Sequence, residues 1–426
     1  MSKTAFYRMV IKVAIHGQKV YKWGMKYEVQ SEIGSLKRVL LHRPGSELEQ
    51  LTPRYLLEML FEDIPWLKKI QEEHDAFAES LRSHGAEVWY YRDLLEDVCR
   101  QQDVRNELTE EVVAECRIGD QELRHDLVEY LEALEGSQFV DVMITGLRKL
   151  DLHPADGSRL AHFVKDAHPF YINPLTNLYF ARDPGALIGT GLAINAMKAP
   201  ARMRETRLLS AIYRHHPKFN ESPLTLWYHY SDLDTIEGGD ILVLNTQTVA
   251  IGCSQRTSTE GIERLAQRLF AGGYSQVLVI QIPFRREYMH LDTVFTMLDY
   301  DAFSVFPEIR RKVSVFKLEP GSGGVVLVHP LDSLEEALKD ALQLSAVRLI
   351  ESGGDDDLTA AREQWNDSTN TLALAPGKVM TYDRNTASNK TLRENGIDVV
   401  EIEGSELVRG RGGPRCMSMP LLRDSI

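Results

Sequence analysis

ILVLNTQTVAIG, residues 241–252, is two apolar runs split by the polar step Asn245–Gln247, and LFAGGYSQVLVIQI, residues 269–282, is the end of a helical run, a glycine pair and an apolar strand. Polar residues between two short apolar runs read as a hairpin turn, and glycine after a helical run reads as its stop. The whole stretch is therefore strand, turn, strand, helix, strand. The phrase returns. TLALAPGKVMTY, residues 371–382, turns at Gly377 and is followed by LRENGIDVVEI, residues 392–402. Leu36–Leu41 is a strand closed by HRPG, Leu67–His84 fits a helix, and Gly85 leads into AEVWYY. One such unit cannot bury its own face, so copies of it have to form an array or a ring. The copies differ too much in length for a solenoid, which leaves a closed, propeller-like α/β ring with its functional residues near the centre, drawn from several units.

Residues 92–135 fall outside the repeat. They carry fourteen acidic residues against five arginines. Leu123, Leu127, Tyr130, Leu131 and Leu134 stand at helical spacing. The expectation is a helical insertion over 92–151, solvated outside and packed inside, interrupting a catalytic body made of 25–91 and 152–426. Met25 opens the phrase MKYEVQSEIGSLKRVLLHRPG, so 1–24 reads as a poorly ordered extension.

The chain has 426 residues, 43% hydrophobic and 26% charged, with a formal net charge of -13. These are the proportions of a soluble globular protein. The acidic balance argues against nucleic acid as a partner and suits a cationic small substrate. The apolar run Met9–Ile15 is broken by Lys12 and is too short for a signal peptide, and no stretch reads as a membrane span. Cys99, Cys116, Cys253 and Cys416 are scattered, without metal spacing or a disulfide framework, which points to a reducing cytoplasm.

The chemistry gathers at RGRGGPRCMSMP, residues 409–420. A free cysteine is more often a small buried hydrophobe than a nucleophile. Cys416 is set among Gly410, Gly412, Gly413, Arg409, Arg411 and Arg415, where guanidinium groups are expected to favour the reactive thiolate. Three further phrases hold acid–base groups: NLYFARDP with Asp183, EGGD with Glu237 and Asp240, and HLDTVF with His290 and Asp292 on one face of an extended segment. Each alone is weak, since Asp183 before a proline and EGGD both suit turns, and a His-x-Asp pair could also ligate metal. Together they make a set: one thiol, one histidine, several carboxylates and arginines to spare. Converging carboxylates call for a cation, and a planar guanidinium matches them in forked fashion. Its delocalised charge makes its carbon a poor electrophile, which calls for a thiolate; histidine can protonate the departing amine and later deprotonate water. Arg202, Arg204, Arg256 and Arg411 could hold an α-carboxylate at the far end. The substrate so composed is free arginine.

The ordered phrases SEIGSLKRVLLHRPG, LFEDIPWL, EHDAFA, NLYFARDP, RMRET, IEGGDILVL, QRTS, MHLDTVF and GRGGPRCMSMPLLRD resemble the arginine deiminase family of the pentein superfamily, from Met25 to the end. The resemblance implies a five-bladed α/β propeller of ββαβ repeats around a pseudo-fivefold axis, with an inserted helical domain. It implies hydrolysis of L-arginine to L-citrulline and ammonia through a thiouronium on the cysteine, with no metal and no cofactor. Matched to the family's motifs, Cys416 is the nucleophile, His290 the acid and base and Glu237 its assistant, while Asp183 and Asp292 hold the guanidinium. Asn177, Phe180, Asp240, Arg256, Arg411 and either Arg202 or Arg204 would bind the rest of the substrate. A homo-oligomer, dimer or tetramer, is expected in the cytoplasm, with no nucleic acid or membrane partner. The alternatives are an amidinotransferase or dimethylarginine hydrolase of the same fold, a metal-dependent ureohydrolase, and a non-catalytic binding propeller.

Overall fold

Paired apolar runs with polar turns fold as hairpins, and a helix carries the chain from the second strand of each hairpin to a third, parallel strand. The computed structural model describes residues 26–116, 118–152, 168–222 and 224–426, with two strand segments at 14–15 and 18–19, so the expectation for 1–24 lies, those four residues apart, outside the described residues. Five sheets among the described residues share this order. In the first, β3 (Gly185–Ile188) and β4 (Gly191–Ile194) are antiparallel and β4 runs parallel to β5 (Thr225–Tyr228), with α6 (Met203–His215) between them. The second joins β6 (Ile241–Val243), β7 (Thr248–Cys253), α7 (Thr259–Ala271) and β8 (Gln276–Gln281), and is widened by the hairpin β11 (Ser314–Pro320) and β12 (Val326–Leu331). The third contains β9 (Phe295–Met297), β10 (Ala302–Val305) and β13 (Arg348–Glu351). The fourth contains β14 (Leu372–Ala375), β15 (Lys378–Tyr382), α10 (Thr386–Glu394) and β16 (Asp398–Ile402).

The fifth sheet is made from both ends of the chain. β17 (Met419–Arg423) lies antiparallel to β1 (Leu36–Leu41), which runs parallel to β2 (Glu87–Tyr90) after α1 (Leu67–Ser83). Met419 stands opposite Leu40 and Pro420 opposite Val39.

The hairpin strands that open the first three sheets, β3, β4, β6, β7, β9 and β10, are buried along their whole length, which is why they read as unbroken apolar runs instead of alternating ones. The helix of each unit covers a sheet with one stripe; in α7 this is Ile262, Leu265, Ala266 and Leu269. Ser258 caps α7 by accepting the Gly261 amide, and Gly273 takes a positive φ just past its end. Between β2 and β3 lie α2 (Tyr91–Cys99), α3 (Gln102–Glu115), α4 (Gln121–Glu132) and α5 (Gly136–Thr145). Of the stripe read from the sequence, Leu127 and Leu131 are fully buried and Leu123, Tyr130 and Leu134 half-buried, while the acidic residues of α4 face out. Of these helices α2 and α3 pack on α6, and the Tyr91 hydroxyl donates to the Glu205 carbonyl at 2.6 Å. No helix among the described residues is long and apolar enough to cross a membrane.

One side chain of α1 holds the chain just ahead of the cysteine segment. Glu73 is buried and accepts the Ser405 hydroxyl at 2.6 Å and the amides of Glu406 and Leu407 at 2.9 and 3.0 Å. Glu73→Ala leaves those donors unpaired, and a loss of about 2–4 kcal/mol is expected in urea unfolding. A change below ~0.5 kcal/mol shows that the 405–407 segment is held by other contacts.

Candidate active site

The same place in each unit, the few residues ahead of its first strand, supplies the site. Asp183 precedes β3, Glu237 and Asp240 precede β6, His290 and Asp292 precede β9, Asn370 precedes β14 and Cys416 precedes β17. Side chains there stand at the ends of buried strands, so their positions are set by the sheets. A nearly closed cavity is lined by Leu60, Asn177, Phe180, Asp183, Arg202, Arg256, Met289, His290, Thr293, Gly410, Arg411 and Cys416. Eight of the sequence-predicted residues are on its wall; Glu237, Asp292 and Asp240 stand behind it.

His290 is buried, with Nε2 2.7 Å from Glu237 Oε2 and Nδ1 3.8 Å from Asp183 Oδ1. Burial opposes the imidazolium, but the Asp183 charge and the Glu237 hydrogen bond outweigh it and raise the pKa to about 9. Glu237 is drawn down to about 2 against its own burial, by Arg256 at 3.8 Å and by His290, and it also accepts the Lys198 amide at 2.8 Å. Gly239 lets the chain pass under the imidazole, since a Cβ there would stand 2.7 Å from the His290 ring.

Cys416 overturns one expectation. Its thiol pKa is pushed well above the ordinary value by burial and by the charges of Asp292, Asp183 and Asp367, which Arg415 only partly offsets. The flanking arginines are engaged elsewhere. Arg409 pairs with Asp63 and Glu406, and Arg411 stacks on Trp365 at 3.5 Å. Arg415 is fully buried and joins Asp292 at 2.6 Å, Glu32 at 3.2 Å and the Ile241 carbonyl at 2.7 Å. Burial and the carboxylates of Asp292, Asp183 and Asp367 thus favour the thiol over the thiolate. Asp292 oxygens lie 3.7 and 3.9 Å from the sulfur.

The arginines divide by what they have left to give. Arg202 is saturated: it holds Asp183 at 2.5 Å, Glu205 through Nε and Nη2, and the Asn177 and Phe180 carbonyls. Arg204 turns away, donating to the Met143 carbonyl at 3.0 Å and to the Asn173 carbonyl, which separates it from Arg202 as a site residue. Arg256 Nη1 and Arg411 Nε and Nη1 have no hydrogen-bond partner among the described residues. Asn177 donates to the Met59 carbonyl at 2.7 Å and so steadies Leu60 on the cavity wall.

Asp240, expected to touch substrate, accepts the Ser254 hydroxyl at 2.7 Å and the Leu291 amide at 2.8 Å, so it braces the His290–Asp292 turn from behind. Asn370 had no role in the sequence reading, and Arg415 none beyond flanking the thiol. The repeat itself was the signal for Asn370, because the fourth unit offers it at the place where the other four units keep their acid, base and thiol.

Asp183, Glu237 and His290 bring ligand atoms within 4.8 Å of one another, close enough to surround a cation. The Arg202 and Arg256 guanidinium groups already compensate Asp183 and Glu237, and the hydrogen bond between Glu237 and His290 accounts for the rest of the approach. The donor set suits acid–base work better than a divalent ion.

A model of the arginine deiminase family matches residues 57–423. An arginine deiminase of Bacillus cereus is 46% identical over 404 residues, covering 93% of this chain and 98% of the relative. Among solved structures, an amidinotransferase of saxitoxin biosynthesis from Microseira wollei is similar at 13% identity and a TM-score of 0.55, over 94% of this chain and 98% of that one. DDAH from Pseudomonas aeruginosa, solved with citrulline, is similar at 16% identity and a TM-score of 0.51, over 90% of this chain and 99% of that one. At these identities the structural likeness is one of fold.

Behind Cys416, Asp367 is buried at a φ of 58° with neither carboxylate oxygen hydrogen-bonded among the described residues. Burial, eased by Arg411, raises its pKa to about 7. A carboxyl pKa raised by folding stabilises fully below the unfolded value and loses that stabilisation as the pH rises through about 7. Asp367→Asn, which tolerates the left-handed backbone, is therefore expected to gain on the order of 2 kcal/mol more over the parent at pH 8.5 than at pH 5 by thermal unfolding, since part of the effect is already present at pH 5, above the unfolded value. Equal effects at the two pH values sink this account of Asp367.

Proposed function

The chain belongs to the arginine deiminase family and is a hydrolase of the linear amidine L-arginine, and we propose that it makes L-citrulline and ammonia by a covalent route through Cys416. The observation that carries the route is a single closed cavity onto which Cys416, His290 and Asp183 open while Arg256 and Arg411 keep spare donors on its wall. A guanidinium entering between Asp183 and Asp292 brings the positive charge that the thiolate lacks in the resting site. Its α-carboxylate meets Arg256 and Arg411; Arg202, already saturated, orients Asp183.

With the cation bound, the Cys416 thiol releases its proton to water, and the thiolate adds to the guanidinium carbon, the C–S bond forming as the C–N bond to one terminal amine begins to fail. His290, held as imidazolium by Asp183 and Glu237, gives that amine its proton, and ammonia leaves. The planar thiouronium remains on Cys416. His290, now neutral, takes a proton from water; the oxygen adds to the same carbon, the C–S bond breaks, the hydroxyl proton of the adduct passes to solvent, where ammonia takes it up as ammonium, and citrulline is released with the thiolate restored. Every proton in this sequence is moved by groups of the chain and water. Covalent catalysis replaces one difficult displacement at a resonance-stabilised carbon by two easier ones.

We further infer that the five sheets close about a pseudo-fivefold axis as a five-bladed propeller built from 25–91 and 152–426, with 92–151 as its helical insertion. The common strand order and the pairing of the first and last strands in one sheet support it.

With EDTA present, L-arginine is expected to yield citrulline and ammonia in equal amounts; urea and ornithine as products would overturn the reading. Asp292→Asn removes a charge facing the cation in a secluded site and should lower kcat/KM by roughly a hundredfold. Agmatine, which has no α-carboxylate for Arg256 and Arg411, should be a poor substrate. If it is turned over as well as arginine, the carboxylate clamp is wrong.

A further inference from the structure

Asn370 is fully buried between the thiol and the segment that carries Asp292. Its Nδ2 lies 3.1 Å from Cys416 Sγ and 3.2 Å from the Asp292 carbonyl, and its Oδ1 accepts the Cys416 amide at 2.9 Å. The direction of the side-chain amide is fixed by its neighbours. A backbone N–H only donates and a carbonyl only accepts, so the NH2 group has to face the sulfur. The approach depends on Gly413, where a Cβ would stand 2.8 Å from the Asn370 Cβ.

The sulfur has few friends in its surroundings. The carboxylates of Asp292, Asp183 and Asp367 face it, as do the phenols of Tyr179 and Tyr382. His290, Arg202 and Arg411 stand on the cavity wall, and Arg415, whose charge eases the thiol, is already held by Glu32 and Asp292. Among the described residues the hydrogen bonds of Sγ are those with Asn370 and Asp292, and a carboxylate repels a thiolate. The Asn370 N–H is thus the donor the sulfur can use when it is charged.

We propose that Asn370 is a catalytic residue whose Nδ2–H donates to the Cys416 sulfur whenever it is a thiolate, before attack and again on expulsion. Oδ1 meanwhile holds the Cys416 backbone so that the sulfur faces the cavity. The inference rests on Cys416 being the nucleophile of the proposed reaction. A charge-assisted donor of this kind, placed where charge develops, is worth about a hundredfold in rate.

The test separates the two ideas. Alkylation of Cys416 by iodoacetamide, followed as a function of pH by mass spectrometry of its peptide, reports the thiolate without requiring turnover. Asn370→Ala, checked for folding by its thermal midpoint, should move the alkylation midpoint up by about one pH unit, roughly tenfold slower labelling on the rising limb. It should also shift the pH profile of kcat/KM the same way and lower its maximum by about a hundredfold. Asn370→Asp keeps the volume and the acceptor for the Cys416 amide, and takes over the decision if the alanine variant does not fold. A folded alanine variant with the parent's alkylation midpoint overturns the proposal, as does an unshifted aspartate variant where only that one folds. Failure of the parent enzyme to form citrulline would instead remove the reaction on which it rests.

Discussion

Beneath the thiol, the guanidinium of Arg415 joins Glu32 to Asp292, all three buried. Ions out of water are costly, and pairing repays that only when each finds its partner; removing one member of such a set costs about 3–5 kcal/mol. Glu32 keeps a pKa of about 2 despite its burial because Arg415, Arg182 and Arg423 surround it. The triad ties the first described segment, the turn before β9 and the cysteine segment together. Its anionic member, Asp292, lies against Cys416, so the charge that braces the fold also sets the state of the sulfur.

The repeat explains how such groups come together at all. Each unit ends its variable connection just ahead of a short buried strand, and that position is where the chain can change without disturbing the sheet. Acid, base, carboxylates, amide and thiol have all been placed there, one or two to a unit. The insertions, whether the acidic helices after β2 or the hairpin that widens the second sheet, lie elsewhere in the connections and leave these positions unaltered.

A resting thiol follows from the same arrangement. Asp183 and Asp292, the carboxylates suited to a guanidinium, are by that fact hostile to a thiolate, so on the proposed route the cation binds first and the nucleophile forms beside it. His290, facing Asp183, Glu237 and Asp240, is held as the acid, which is the form the first step of the proposed route requires. The substrate's charge is one of the working parts.

The sequence by itself determined the repeating unit, the acidic helices and the residue types that do chemistry, because periodicity, glycine placement and the reactivity of Cys416 and His290 are local properties. Even Asp183 and Glu237 were legible from their short phrases. Tertiary structure decided which partner each charge meets. Arg202 and Arg204 are indistinguishable in RMRET, yet one pairs with Asp183 and the other turns to the Met143 carbonyl. Asp240 reads as one more site carboxylate until its oxygens are found on Ser254 and Leu291, and Asn370 carries no signal of its own until its amide is found at the sulfur. The arginines around Cys416 promised a thiolate by their nearness in sequence, but Arg415 spends its charge on Glu32, 383 positions away. The strength of an electrostatic interaction is set by distance and burial in space, and neither is written in the order of the residues.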